Sequence, residues 1–580
     1  MALARARSVA LVGVEGHLVE VEAHIGNGLP GFSLVGLPDA ALAEARSRVR
    51  AAVANSAHDW PQRKLTVALS PATLPKAGAH FDLAIAVAVL GAAGVVSQGA
   101  VDGVVFLGEL GLDGRVKAVR GALPSVLAAS MAGCRRFIVP ETNMGEARLV
   151  EDVEVFGVRT LRQVVSILRG EEVPDEPPYA RAEVTADDDA GVLPRSDRLG
   201  ALDLAEVLGQ TAARRAVEVA AAGGHHLFLS GPPGAGKTML AERMPGLLPD
   251  LPPVEALEVT AIHSVAGLLP ADAPLVVRPP YCDPHHSASL PALVGGGSRI
   301  ARPGAVSLAH RGILFLDEAP EFRPAVLDAL RQPLEHGEVV IARSAGTARF
   351  PARFQLVLAA NPCPCGRAYG KGIYCTCSSQ ARARYQQRLS GPIRDRIDIL
   401  QLVEPVARAE MMADQRLIES TAVVADRVRK ARERQADRFR GTPWTLNAHV
   451  PGYILRRRWP PDPGAMPVVE GHLSSGWITA RGADRVLRIA WTLADLAGRD
   501  RPGRHDLFTA LTMRLGHEPA GARAPAGGRG GRSSRVVGDD PAGSASARKA
   551  GRLDGARRSG GRGPTASRVT SLDERRERTD

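Results

Sequence analysis

The residues whose types and spacing are best suited to chemistry form the pattern G-x-x-x-x-G-K-T at positions 231–238. An apolar run, His226–Ser230, leads into the pattern, and a helix-forming sequence beginning at Met239 follows it. In this strand–loop–helix context, small residues let backbone N–H groups surround phosphate oxygens at a helix N-terminus. The lysine would reach the β- and γ-phosphates, and the threonine would ligate Mg²⁺. The predicted ATP- and Mg²⁺-binding residues are Gly231, Pro232, Pro233, Gly234, Ala235, Gly236, Lys237 and Thr238.

Two carboxylates, Asp317 and Glu318, follow a second apolar run at 312–316. A fully apolar strand indicates a parallel sheet, whose ligands bind at the carboxyl ends of its strands. Asp317 would hold Mg²⁺ through water, and Glu318 would activate the water that attacks the γ-phosphate. An apolar run with two acids is a weak pattern by itself, but after a phosphate-binding loop it predicts ATP hydrolysis.

Four cysteines form two C-x-C pairs, Cys363 with Cys365 and Cys375 with Cys377, separated by nine residues (the cysteine cluster, 363–377). Four thiolates at short spacing suit tetrahedral Zn²⁺, and three glycines in the cluster permit a compact knuckle. Because C-x-C is less typical of zinc than C-x₂-C, free thiols and a redox disulfide are the alternatives. Basic and aromatic neighbours favour contact between such a knuckle and DNA. These neighbours are Tyr374, Arg382, Arg384, Tyr385 and Arg388.

Positioning these groups requires an α/β framework, and the apolar pattern along the chain predicts one. The predicted fold class is α/β, with an N-terminal α/β domain, a central phosphate-loop domain on a parallel sheet, a C-terminal helical lid and a disordered tail. An apolar stretch at 83–96 predicts a buried helix. The predicted domains are 1–170, an acidic linker at 171–199, 200–405, 406–514 and the tail 515–580. The predicted strands outside the two motifs are Ser8–Val14, Leu65–Leu69, Val104–Leu107, Arg136–Val139 and Phe354–Ala360.

The composition of the 580 residues restricts the class of protein. No apolar stretch is long enough to cross a bilayer, and no secretory signal pattern is present, so we expect no membrane association. Six cysteines, four of them clustered, favour a reducing compartment, and we expect a cytoplasmic protein. The net charge of +11 is concentrated in residues 515–580, which contain 14 Lys and Arg against 8 Asp and Glu. This low-complexity tail is predicted to be a disordered end, a DNA-binding arm or the aberrant product of a frameshift.

The order of the motifs resembles that of AAA+ ATPases, and the resemblance gives three further residues a role. Asn361, directly after the predicted strand at 354–360, matches sensor 1, which orients the attacking water. An asparagine that caps the turn before Pro362 is the alternative. Arg481 matches sensor 2, the lid arginine that touches the γ-phosphate, whereas Arg485 is expected on a solvated helix face.

The third of these residues is Arg396, which matches the arginine finger, with Arg394 as the second choice. An arginine finger stabilises charge in the transition state and is worth about 10³–10⁵ in rate in GTPases. Because the AAA+ finger enters the neighbouring subunit's site, the resemblance implies a homo-oligomer, expected to be a hexameric ring.

More narrowly, the central motifs resemble the magnesium-chelatase-like branch of AAA+ proteins, and within it the YifB/ComM family. The motifs that carry the resemblance are Pro284–Ser289, Val294–Gly297, Arg302–His310, Gly312–Glu318 and Ala319–Phe322. The resemblance covers roughly residues 5–514 and implies an ATP-driven DNA helicase of the branch-migration type, with DNA and recombination proteins as partners. The motor subunit of a metal chelatase and a non-hydrolysing regulatory module are the alternatives. The pair His285 and His286 is compatible with a DNA- or neighbour-contacting loop, a metal half-site or a hydrogen-bonded loop pair.

The N-terminal region resembles the proteolytic domain of Lon, through the segments Pro71–Leu83, Phe106–Lys117 and Ala128–Pro140. A Lon-type site uses a serine activated by a lysine. Here His80 stands at the position that matches the serine and Leu123 at the position that matches the lysine. The resemblance therefore implies a Lon-like domain without peptidase activity, used for assembly or substrate contact.

Overall fold

The computed structural model of the chain describes most of residues 2–517. The residues within this range that it does not describe are 37–41, 43, 77, 179–198, 271–272, 298–300, 344–345, 370–371, 407–411 and 413–417. Two expectations from the sequence therefore fall outside the described residues: most of the linker and nearly all of the tail.

The N-terminal region is built on a seven-stranded mixed sheet. Its strands are β1 (Ala2–Val12), β2 (Glu15–Gly26), β3 (Gly31–Val35), β4 (Lys64–Ser70), β5 (Val104–Phe106), β8 (Arg136–Pro140) and β9 (Glu154–Val158), and a separate two-stranded ribbon pairs β6 (Glu109–Leu110) with β7 (Val116–Lys117). The order is β3-β4-β2-β1-β5-β8-β9, with β2 antiparallel to both β1 and β4 and the other neighbouring strands parallel. The four strands predicted here are confirmed, but the first begins at Ala2 instead of Ser8 and ends at Val12, because Gly13 and Val14 form the turn to β2.

Helices cover the N-terminal sheet, and the most apolar of them forms the centre of its core. They are α1 (Ala45–Asn55), α2 (Asp82–Ala92), α3 (Gln98–Val101), α4 (Ala122–Met131), α5 (Met144–Ala147) and α6 (Leu161–Arg169). Nearly every side chain of α2 is buried, and the helix packs on β1 and β2. A helix that is apolar on all sides must be surrounded by protein, so the buried helix predicted from the sequence is confirmed.

The second region holds five parallel strands in the order β11-β14-β17-β10-β18. They are β10 (Leu227–Ser230), β11 (Tyr281–Cys282), β14 (Ile313–Leu316), β17 (Gln355–Ala360) and β18 (Ile399–Leu402). Every residue of β14 and β17 is buried, as expected for strands covered on both faces. Two hairpins project beside the sheet, β12 (Gly295–Gly296) with β13 (Arg302–Pro303) and β15 (Glu338–Arg343) with β16 (Gly346–Pro351). The predicted parallel sheet is confirmed.

Ten helices of the described residues accompany this sheet and its hairpins. Their bounds are α7 (Thr211–Gly223), α8 (Lys237–Arg243), α9 (Pro253–Ala266), α10 (Leu290–Val294), α11 (Ala305–Leu308), α12 (Pro324–Asp328), α13 (Arg331–His336), α14 (Ser379–Gln387) and α15 (Gly391–Arg394), with α16 (Thr421–Arg438) packed on α7.

The last described segment is helical, as predicted. After α16 come α17 (Gly452–Arg458), α18 (Pro467–Ser474), α19 (Ala480–Leu496) and α20 (Arg504–Leu515). Buried residues of these helices share one hydrophobic core with α7 and β10. No helix in the described ranges has both the length and the apolar character needed to cross a bilayer.

The N-terminal region packs directly on the phosphate-loop region through α4 and α9. The Gly121 N–H donates to the Ser264 carbonyl at 3.0 Å. The buried carboxylate of Glu146 accepts bonds from the Ser264 hydroxyl and from the Leu123 N–H, the latter at 3.1 Å. Burial raises the pKa of Glu146, although these hydrogen bonds oppose the shift. A titratable group whose charged form is costly to desolvate therefore lies at the joint between the two regions.

The candidate nucleotide site and the cysteine cluster

The phosphate-binding loop joins β10 to α8, as the sequence pattern predicts. Gly234 and Gly236 adopt left-handed φ angles of 76° and 92°, which glycine tolerates best. A side chain at Gly231 would place its Cβ 2.0 Å from the Val403 carbonyl oxygen on the neighbouring segment. The helix then begins at Lys237, so the loop presents its N–H groups at a helix N-terminus, where anions bind.

The amine of Lys237 is buried inside this loop. Its Nζ donates to the carbonyl oxygens of Gly231 and Pro232 at 2.8 and 3.0 Å and to Oδ1 of Asn361 at 3.1 Å. Burial lowers the pKa of Lys237, and the charges of Asp317 and Glu318 oppose that shift. The amine is therefore held at the loop by groups that phosphate oxygens can replace.

The two predicted acids lie at the carboxyl end of β14, beside the loop. The Thr238 hydroxyl donates to Oδ2 of Asp317 at 2.7 Å, and the Glu318 N–H donates to Oδ1 of Asp317 at 2.8 Å. A hydroxyl and a carboxylate are oxygen ligands of the kind Mg²⁺ prefers, so these two residues fit the predicted metal. The Glu318 side chain is 49% exposed and its φ is 49°, a left-handed value that is uncommon outside glycine.

The structure also brings Asn361 to this site. Asn361 follows β17 directly, and its side chain accepts the bond from Lys237 instead of capping the turn before Pro362. Its backbone N–H bonds to the buried Tyr385 of α14, whose pKa burial raises to about 12. Four of the predicted residues, on three neighbouring strands and their loops, therefore form one connected site.

The four cysteines of the cluster converge, with their sulfur atoms all within 4.8 Å of one another. The Sγ distances are 3.4 Å for Cys363–Cys365, 3.7 Å for Cys363–Cys375 and 3.8 Å for Cys365–Cys375. A tetrahedral Zn²⁺ with Zn–S bonds of about 2.3 Å places its sulfurs about 3.8 Å apart. Backbone N–H groups of Arg367 and Thr376 lower the pKa of Cys365 to about 5, which favours the thiolate that binds metal. The neighbouring thiols and desolvation raise the pKa of Cys375, and that of Cys377 to about 11. The donor set and its spacing fit zinc.

The cluster lies against the phosphate-binding loop, a contact that sequence reasoning did not find. Gly366 has a φ of 74°, and a Cβ there would lie 2.5 Å from Cδ of Pro233. The only sequence signal for this contact is that Cys363 follows Asn361 by two positions, so the cluster must start at the same sheet edge as the loop.

The predicted arginines gather around the segment that follows α14. Arg396 forms an ion pair with Glu335 and donates to the Pro392 carbonyl at 2.6 Å. Arg481, whose side chain is 78% exposed, lies 3.3 Å from Asp395. The structure therefore places Arg481 beside the Arg396 segment.

The expectation that Arg485 lies on a solvated helix face is wrong. Its side chain is 12% exposed, and its Nε lies 3.2 Å from Oδ1 of the buried Asp398. Asp398 also accepts a bond from the N–H of His226, the residue just before β10. Arg485 therefore neutralises a buried carboxylate next to the central sheet, a tertiary role that helical spacing alone does not reveal.

In the N-terminal region, the residues at the Lon-like positions have structural partners. His80 lies with Nε2 3.0 Å from the Val9 carbonyl oxygen, and Leu123 is buried at the start of α4. The buried amine of Lys76 donates to the Pro71 carbonyl, and Lys117 pairs with Glu109 at 3.5 Å.

Comparison with known proteins places this site in a class. The model of the family described as "Magnesium chelatase, subunit ChlI" matches residues 203–411. Models described as "Subunit ChlI of Mg-chelatase" and "Magnesium chelatase, subunit ChlI C-terminal" match residues 21–143 and 418–514. With a phosphate loop and an acid pair on a parallel sheet, the protein is a magnesium-chelatase-like member of the AAA+ class.

Individual relatives narrow the class to a family. An uncharacterized protein of Mycobacterium tuberculosis is 54% identical over 515 residues, covering 89% of this chain and 99% of the relative. Competence protein ComM of Haemophilus influenzae is 40% identical over 514 residues, covering 89% and 98%. YifB of Escherichia coli, itself uncharacterized, is 40% identical over 515 residues, covering 89% and 97%. The chain belongs to the YifB/ComM family, as the sequence motifs indicated.

Proposed function

We propose that this protein is an ATP-hydrolysing motor that remodels DNA in the manner of branch-migration helicases. The observation that carries the proposal is the connected set of Lys237, Thr238, Asp317 and Asn361, with Glu318 beside it. Membership of the YifB/ComM family, over nearly the full length of its relatives, supports the DNA-directed part.

In the proposed reaction each residue has a separate task. Lys237 binds the β- and γ-phosphates, and Thr238 and Asp317 hold Mg²⁺, which neutralises charge on the phosphates. Asn361 orients the attacking water, and a carboxylate oxygen of Glu318 takes its proton. The exposure of Glu318 leaves its carboxylate accessible to that water.

We further propose a homo-oligomer, expected to be a hexamer, in which Arg396 completes the neighbouring subunit's site. Arg481 pairs with Asp395, the residue just before Arg396, so both arginines belong to one surface. A surface shared by the two arginines supports their acting on the same nucleotide, that of the neighbour. The Arg396–Glu335 ion pair would then open as the subunits meet.

The cysteine cluster is proposed to bind Zn²⁺ and to present a DNA-contacting surface. Of the two aromatic neighbours predicted from the sequence, Tyr374 is 75% exposed, but Tyr385 is buried at 4%, so the prediction that Tyr385 contacts DNA is wrong. Tyr369 and Ile373 are also exposed, at 42% and 77%. Arg367, Arg382 and Arg384 are exposed on the same segment and on α14. Bases stack on aromatic side chains while arginines neutralise the phosphate backbone, so this composition suits single-stranded DNA.

A second candidate function is the motor subunit of a metal chelatase, since all three matching family models carry that description. Steady-state ATP hydrolysis separates the candidates when measured alone and with single-stranded, duplex and four-way-junction DNA, beside Glu318→Gln. Stimulation by DNA that is lost in Glu318→Gln supports the motor on DNA. Hydrolysis that is indifferent to every DNA, but rises with a partner subunit and a tetrapyrrole, supports the chelatase.

A further inference from the structure

His286, which is not among the predicted site residues, lies close to the carboxylate of Glu318. Nδ1 of His286 lies 3.6 Å from Oε2 of Glu318, and both side chains are partly exposed, at 37% and 49%. Glu318 is also in the left-handed region, so its backbone orientation is unusual for a residue with a side chain. The side chain that must meet the attacking water therefore has a neighbour able to fix its direction.

The adjacent histidine is engaged differently. Nδ1 of His285 lies 2.8 Å from the Ser287 hydroxyl and accepts the Ser287 N–H at 3.3 Å. The two imidazole rings lie with centroids 4.0 Å apart. Both contacts of His285 use its Nδ1 and stabilise its own turn, whereas Nδ1 of His286 faces Glu318.

The chain around His286 explains how it reaches Glu318. β11 ends at Cys282 and lies parallel to β14, with Cys282 opposite Leu314. The chain leaves β11 at the same sheet edge at which Asp317 and Glu318 leave β14. Four residues later it delivers His286, and α10 begins soon after, capped by the Ser289 hydroxyl. His286 therefore lies between β11 and the capped helix α10.

We propose that His286 is a positioning residue for Glu318, holding the carboxylate toward the attacking water from the neighbouring strand. This inference rests on the proposed function, in which Glu318 accepts the proton. At 3.6 Å, Nδ1 of His286 and Oε2 of Glu318 are within ion-pair range and slightly beyond hydrogen-bond length; since a carboxylate only accepts, Nδ1–H would be the donor of a hydrogen bond between them. The orientation matters because misplacing a reacting group by about 1 Å can cost about 10²-fold in rate.

The same loop continues into the first hairpin. After α10 the chain enters β12, and Gly297 accepts a bond from Arg343 of the second hairpin at 2.9 Å. His286 thus lies on the path that links Glu318 to both hairpins.

The test compares His286→Ala, His286→Asn and His285→Ala with the unsubstituted protein in steady-state ATP hydrolysis, using kcat and KM for ATP. We expect His286→Ala to lower kcat by at least about tenfold with KM unchanged, since it removes orientation and not nucleotide contacts. His286→Asn keeps an N–H near the Nδ1 position and is expected to restore most of kcat. His285→Ala is expected to behave as the unsubstituted protein.

Two outcomes overturn the inference: equal kcat for His286→Ala and His285→Ala, or a loss in His286→Ala that appears in KM. Glu318→Gln is measured in the same series to distinguish failure of the proposed function from failure of the role proposed for His286. If Glu318→Gln hydrolyses ATP normally, the proposed function itself is wrong. If Glu318→Gln is inactive and the two histidine variants match each other, only the role of His286 is rejected.

Discussion

The two α/β regions each bury one lysine, and among the described residues these are the only buried lysines. Both amines bond to backbone carbonyls, and burial lowers the pKa of both. Lys237, however, also bonds to Asn361, lies near Asp317 and Glu318, and begins a helix. Lys76 has the Pro71 carbonyl of its own loop. Both regions therefore bury a lysine, but burial alone does not indicate chemistry. The groups around the amine distinguish a lysine at a candidate site from a structural one.

The largest expected effect comes from making the same substitution in both regions. Lys237→Met should lower ATP turnover by at least about 10²–10³-fold, because it removes the cation that faces the phosphates. Lys76→Met should leave kcat and KM for ATP unchanged and alter only the melting temperature. Steady-state hydrolysis and thermal unfolding of both variants provide the measurement. Loss of turnover in Lys76→Met would break the comparison.

We expect the cysteine cluster to affect ATP turnover, because it lies against the phosphate-binding loop. We expect one Zn²⁺ per chain in the purified protein, measured by elemental analysis, and loss of that zinc in Cys365→Ser. ATP turnover should fall with it, because the cluster packs on Pro233. Cys134→Ser, at a buried cysteine of the N-terminal region, is the control and should retain both zinc and turnover. A zinc-free protein with normal turnover would contradict this prediction.

Two glycines of the cluster allow a more specific test of the contact between the cluster and the phosphate-binding loop. Gly366 and Gly372 both have left-handed φ angles, 74° and 65°, so alanine is strained at either position. Only at Gly366 would the new Cβ meet the phosphate loop, while Gly372 has open space around it. Gly366→Ala should therefore raise KM for ATP, and Gly372→Ala should not. Equal KM values for the two variants would show that the contact does not affect nucleotide binding.

The smallest expected effect concerns the joint between the regions. Burial raises the pKa of Glu146, so the folded protein retains its proton at a pH where the unfolded chain loses it. The contribution of Glu146 to stability is then greatest at low pH, and it falls as the pH rises from the ordinary glutamate range through the raised pKa. Glu146→Gln should flatten this decline in melting temperature. An unchanged pH dependence in Glu146→Gln would assign the decline to another group.

Much of the fold follows from local pattern, because an apolar run such as 313–316 or 82–92 has few alternatives to burial. The strand β2 was missed although Val19, Val21 and Ala23 alternate with polar residues, a signal that was present. The role of Arg485 was missed for another reason. Its partner Asp398 is 87 positions earlier in the chain, and helical spacing carries no information about such contacts.

Some parts of the candidate site could likewise be predicted from local sequence patterns, and other parts could not. Residue types at fixed spacing define the loop at 231–238 and the acids at 317–318, so the sequence was sufficient to predict both. The contacts Gly366–Pro233 and His286–Glu318 depend on where separate loops leave the sheet. Sheet order, with β17 between β14 and β10, supplies that information and is not written in any local pattern.

The packing of Gly366 on Pro233 has a thermodynamic consequence. Two ligands that bind on either side of one contact are subject to reciprocity: the factor by which zinc changes the affinity for ATP equals the factor by which ATP changes the affinity for zinc. Measuring zinc release with and without nucleotide therefore gives the same coupling free energy as measuring nucleotide affinity with and without zinc. Zinc release from the cysteine cluster would thus report on nucleotide binding at the phosphate-binding loop.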